Sequence, residues 1–128
     1  MAELKLELEG WEDRHVFLRF TSMDESVVIE IPDPRKPKLK EARTEISIPL
    51  GDLASAKWQK NFLPLTPSKL TLEMKSVKNA GPLPLQDGTQ LVFLIPRKLA
   101  EDAEALAKEL RFSIMHESLE DMLDITDL

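Results

Sequence analysis

The 128-residue chain contains no cysteine and no tyrosine, and only four glycines, two tryptophans and five phenylalanines. Each shortage excludes something. Without cysteine there are no disulfides, no thiolate metal sites and no cysteine nucleophile. Glycines confined to positions 10, 51, 81 and 88 cannot build a glycine-rich phosphate cradle, which needs successive accessible backbone N–H groups. So few aromatics, not interleaved with basic residues, make no stacking platform for single-stranded nucleic acid. No serine stands in a Gly-x-Ser-x-Gly elbow. No apolar run approaches the roughly eighteen residues of a spanning helix, so no transmembrane segment is expected. Met1–Lys5 lacks an apolar h-region, so no secretory leader is read and a cytoplasmic protein is expected.

What is present suits one folded domain. Hydrophobic residues are 42% and charged residues 31%, enough for a core and a wetted surface. The charge is segregated. Of 23 acidic residues, Glu117, Glu120, Asp121, Asp124 and Asp127 lie in the last sixteen positions, where there is no Lys or Arg. The remaining 18 nearly balance the 17 basic residues. At the other extreme, Arg35, Lys36, Lys38, Lys40 and Arg43 crowd one stretch that contains a single acid, Glu41. A near-neutral body with one basic loop and one acidic tail lacks the broad positive surface that nucleic acid or an anionic membrane requires. No nucleic acid is expected as a partner, and peripheral membrane contact is not favoured.

The first two-thirds of the chain reads as strands. Leu4, Leu6 and Leu8 alternate with charged residues, and Val16, Leu18 and Phe20 do the same after a turn over Gly10–Asp13. Asp24-Glu25-Ser26 is a second turn, and the β-branched run Val27–Ile31 stops at Pro32. Pro32, Pro34 and Pro37 restrain a basic loop, and a fourth strand is expected over Glu45–Leu50. Gly51-Asp52 turns the chain, and Leu53–Gln59 reads as a short helix or an irregular crossing. Lys69–Lys75 alternates again, Asp87-Gly88 is a hairpin signal, and Leu91–Ile95 is a central strand. The period then changes. Leu99, Ala103, Leu106, Ala107, Leu110 and Ile114 form one helical stripe, with acids in the first turn and Lys108 and Arg111 towards the end. Ser118 followed by Asp121 resembles a capping box, which would start a short second helix carrying Leu119, Met122 and Leu123.

Strands joined by short turns favour an antiparallel arrangement over a parallel one, which needs helical crossovers. The fold class expected is therefore mainly β: a small antiparallel barrel or curled sheet of six to seven strands with a C-terminal helix at about 97–115. The alternative is a β-sandwich with an appended helix. The domain is read as 1–117, followed by an acidic tail or short helix over 118–128.

Trp11-Glu12-Asp13-Arg14-His15-Val16-Phe17-Leu18 resembles the second-strand region of pleckstrin-homology domains. Lys38 and then Ile46-Ser47-Ile48-Pro49-Leu50-Gly51-Asp52 is similar to that family's strand ending in I-x-L-x-D, and Asn61–Thr66 with Leu70-Thr71-Leu72 to its F-x-L and L-x-L strands. The helix from Ala100 to Ile114 stands where the family places its capping helix. The helix lacks the family's frequent Trp, and an additional segment, Asn79–Ile95, precedes it, as in GRAM-type relatives. The phosphoinositide signature fails at Val16, so the resemblance implies no lipid head-group binding.

Candidate chemistry is thin. His15 and His116 lie far apart in sequence, and His116-Glu117 near Asp121 reads as a solvated helix end, so no metal and no cofactor are expected. Asp13 with His15, and Asp24 with Glu25, read as turn carboxylates, so no catalytic residue is assigned. The function expected is non-catalytic recognition of a protein or peptide partner. Arg35, Lys36, Lys38, Lys40, Arg43, Trp58, Leu119, Met122 and Leu123 are the candidate contact residues. Two alternatives stand beside it: a lipid or phosphate adaptor using loop 35–43, and an enzyme subunit whose site another chain completes. A homodimer is compatible with all three.

Overall fold

In the computed structural model the described residues are 3–21, 23–33, 43–62 and 66–126. They form seven antiparallel strands and one long helix: β1 (Leu4–Leu8), β2 (Trp11–Arg19), β3 (Ser26–Pro32), β4 (Arg43–Pro49), β5 (Leu53–Gln59), β6 (Ser68–Met74), β7 (Gln90–Ile95) and α1 (Ala100–Thr126). All seven strands belong to one sheet in the order β4-β3-β2-β1-β7-β6-β5. This is the curled-sheet form of the expectation. It is not closed into a barrel, because β4 and β5 are not paired, and it is not a sandwich of two sheets. No helix among the described residues is long and apolar enough to cross a membrane.

The alternation read from the sequence decides which face is buried. Leu4, Leu6 and Leu8, then Val16, Leu18 and Phe20, then Val27, Ile29 and Ile31, are all essentially inaccessible. They share one core with Leu70, Leu72, Leu91, Phe93 and Ile95, and with Ala103, Leu106, Ala107, Leu110 and Ile114 of α1. A single helix is too narrow to cover seven strands, so the sheet curls round its own inner face. The connection between the two edge strands shows this directly. The 3-10 turn Leu50–Asp52 alone joins β4 to β5, so the two edges meet at that corner. Leu50 N–H donates to the Glu25 carbonyl, and the Asp52 carbonyl accepts from Lys75 N–H. Helix α1 packs against this corner, β5 and β6, lying over the opening.

Three local expectations change. The turn expected over Gly10–Asp13 is shifted and shorter: Glu9 and Gly10, the latter at φ +102°, reverse the chain, and β2 begins at Trp11. The surplus residues of β2 are absorbed where the register jumps between Glu7↔His15 and Leu8↔Trp11. Leu53–Gln59 is neither helix nor crossing but strand β5, paired with β6 from Leu53↔Met74 to Gln59↔Lys69. A register shift between Leu53 and Ser55 moves the inward positions from Leu53 to Ala56 and Trp58, which erases the period-2 signal. The second helix expected from Ser118 is the continuation of α1, which runs unbroken to Thr126. The hairpin at Asp87-Gly88 is as read: both residues have positive φ, and Gln86 bridges Gln90.

Proline shapes one further detail. The β2–β3 ladder covers Phe17↔Glu30, Leu18↔Ile29 and Arg19↔Val28. Extending that register sets His15 opposite Pro32, which has no N–H to give. Arg43, across β3 on β4, supplies the missing donor: its Nη2 lies 3.2 Å from the His15 carbonyl and 3.4 Å from that of Glu30. The guanidinium also lies 4.4 Å from the Phe17 ring centroid. Its Nε approaches Glu30 Oε1 at 3.1 Å as an ion pair, out of line for a hydrogen bond. Arg43→Ala is expected to lower stability by about 2 kcal/mol in urea unfolding, through lost charged hydrogen bonds and the cation–π contact. Arg43→Lys is expected to recover less than half, because an ammonium cannot serve two carbonyls and stack on a ring together.

Candidate functional site

Helix α1 carries two apolar stripes. At 100° per residue, Ala103, Leu106, Ala107, Leu110 and Ile114 fall on one face, and all are buried. Ile114 is the last of them. Phe112, Met115 and Leu119 fall on the opposite face, spaced by three and four, and are 64%, 58% and 51% exposed. The Phe112 ring stacks parallel to His116, one turn on, with 6.3 Å between centroids. Met23, Phe62 and Val77 are also exposed, but each stands singly in a loop. Only on α1 do large exposed apolar residues among those described share a face. Such a stripe gains nothing from the fold that carries it.

The distal half of α1 is also where the chain's negative charge concentrates. Glu117, Glu120, Asp121 and Asp124 follow Arg111 in the sequence with no further Lys or Arg. At 100° per residue Glu117 falls on the side of the buried stripe, away from Phe112, Met115 and Leu119. An acidic helix end lacks the basic residues that would complement its dipole. The arrangement is therefore an apolar ridge on the face of the helix that the core does not use, in a segment whose sequence ends acidic.

The candidate contact residues separate. Arg35, Lys36, Lys38 and Lys40 lie outside the described residues. Arg43 is taken up by Phe17, Glu30 and the His15 carbonyl. Trp58 is half-buried on β5 and packs against the core. Leu119 lies on the exposed ridge, whereas the side chains of Met122 and Leu123 lie outside the described residues. Phe112 and Met115 were missing from the sequence reading. Both lie inside the helix expected at 97–115, and a helical wheel drawn for the face opposite the buried stripe brings them together with Leu119.

Groups suited to catalysis are sparse and wet. His15 Nε2 lies 3.7 Å from Glu7 Oε1, with side chains 51% and 36% exposed. Both edge a cleft of about 580 Å³ between β1 and β7, a concavity open to the enzyme-subunit alternative. No three His, Asp or Glu side chains converge there as metal ligands would. On the outer face of the sheet, Arg19 donates to Glu45 and stands near Glu3, which holds its guanidinium still further into the protonated range. Exposed pairs of this kind contribute little to stability.

The sequence matches no protein-family model, and comparison with the curated proteins and with the solved structures finds no similar protein.

Proposed function

We propose that this chain is a non-catalytic binding module, similar in plan to the pleckstrin-homology superfold, whose terminal helix docks into an apolar groove on a protein partner. One observation carries the reading: Phe112, Met115 and Leu119 form an exposed ridge on the face of α1 turned away from the core. An amphipathic helix laid into a groove recognises its partner through anchors at i, i+3 and i+7, which is the spacing here. The single antiparallel sheet with one terminal helix accords with the superfold named, and the weak acid–base groups accord with recognition over catalysis.

The test uses the full chain with a photoreactive phenylalanine in place of Met115, and a control with the same group in place of Lys57 on β5. The crosslinked partner is purified and its affinity measured by calorimetry. Phe112→Ala and Leu119→Ala are each expected to weaken binding by about tenfold, as central apolar anchors do, while leaving the unfolding midpoint unchanged. Crosslinking no stronger at position 115 than at 57, or a partner whose affinity ignores both substitutions, overturns the reading.

A further inference from the structure

The cleft between β1 and β7 has a cause in the sequence. The two strands pair only at Glu7↔Leu94 and Leu8↔Phe93, with Glu9 N–H donating to the Val92 carbonyl beyond. In that register the next residue of β1 to face β7 is Lys5, and it falls opposite Pro96. Proline has no N–H, so the ladder cannot continue and the strands part. The fork is therefore written into the chain by Pro96, and the backbone of Lys5 on that side has no β7 partner.

The walls of the fork are chemically lopsided. Leu94 and Leu99, with Pro67 and Pro96, make an apolar surface. Two carboxylates on the rim have side-chain neighbours of their own: Glu3 lies 3.7 Å from Arg19, and Glu7 Oε1 lies 3.7 Å from His15 Nε2. The two lysines, Lys5 and Lys98, have no ion-pair partner among the described residues. Two ammonium groups with no ion pair among the described residues thus stand beside an apolar wall, in a cleft of about 580 Å³, within the usual size of a small-ligand site.

We infer that the β1–β7 fork binds a small organic anion, a carboxylate or phosphate monoester carried on an apolar body. Lys5 and Lys98 hold the head group, and Leu94, Pro96 and Leu99 cover the body. A cationic amphiphile is disfavoured, because its head group would meet two ammonium groups. The site is separate from the α1 ridge, and either reading survives the failure of the other.

Sodium octanoate is the probe, titrated into the isotopically labelled full chain and followed by amide chemical shifts. Saturable shifts are expected at Lys5, Leu94, Lys98 and Leu99, with a dissociation constant on the order of millimolar for so small a ligand. Hexyl phosphate is titrated in parallel, and the tighter of the two names the head group. Lys5→Gln with Lys98→Gln is expected to weaken both at least tenfold. Pro96→Val restores the missing N–H, so its new amide should be protected from exchange and octanoate binding lost, in a chain that stays folded. Octylamine is expected to shift nothing in the fork. Absence of saturable shifts, equal response to octylamine, or shifts confined to Phe112, Met115 and Leu119 overturns the inference.

Discussion

Phe93→Ala is expected to lower the unfolding free energy by about 3–5 kcal/mol, a large part of what a domain of this size possesses. The ring is fully buried on β7, between Leu8 of β1 and Leu70 of β6. Its removal leaves a void under the middle of the sheet, where strands paired on both sides cannot move in to fill it. Urea unfolding measures the effect, with Phe112→Ala as the comparison. That phenylalanine is solvent-exposed on α1, and its loss should change the midpoint little. Equal losses at the two positions would mean that Phe93 is not where the core has its weight.

The second large effect is expected at Gly10. Its φ of +102° belongs to a region that L-residues rarely adopt, so any side chain there is strained. A Cβ would also lie 3.1 Å from Pro84 Cβ and 3.2 Å from Gln86 Nε2. That amide nitrogen donates to the Glu9 carbonyl at 2.9 Å and ties the β1–β2 turn to the segment before β7. Gly10→Ala should therefore combine backbone strain with a lost or distorted hydrogen bond, about 2–4 kcal/mol together. A double-mutant cycle with Gln86→Ala separates the two contributions. If the side chain displaces Gln86, the combined loss falls short of the sum, because both substitutions remove the same bond. Strict additivity would assign the whole effect to the backbone.

Much of the fold was legible where a local rule and the tertiary structure agree. Leu4, Leu6 and Leu8 announce a half-buried strand, Asp87-Gly88 a hairpin, and Ala103 to Ile114 a helix, because in each case the pattern is short-range and uninterrupted. β5 was not legible, since one bulge residue breaks the alternation of an otherwise weak strand sequence. The end of α1 was misjudged for a related reason. Past Ile114 the stripe's next positions hold Glu117, Ser118 and Asp121, so the apolar pattern that marked the helix stops while the backbone continues. The ridge was hidden because it lies on the face opposite that stripe. Arg43 illustrates the opposite error: it was grouped with its basic sequence neighbours, whereas its surroundings are Phe17, Glu30 and His15, distant in sequence and brought near by the sheet. Nothing in the local composition could reveal that a proline on β3 requires a donor from β4.

The order of the strands has a consequence for how the molecule is made. β1 to β4 follow one another as a meander, and so do β5 to β7, so each half consists of contacts between chain neighbours. The only strand ladder that joins the halves is the short β1–β7 pairing, whose partners stand far apart in the sequence. Local pairings close small loops and form early, while a seam between distant segments must first overcome the entropy of a long loop. The fold therefore reads as two hairpin stacks that assemble separately and are joined late, with Leu8 and Phe93 as the clasp.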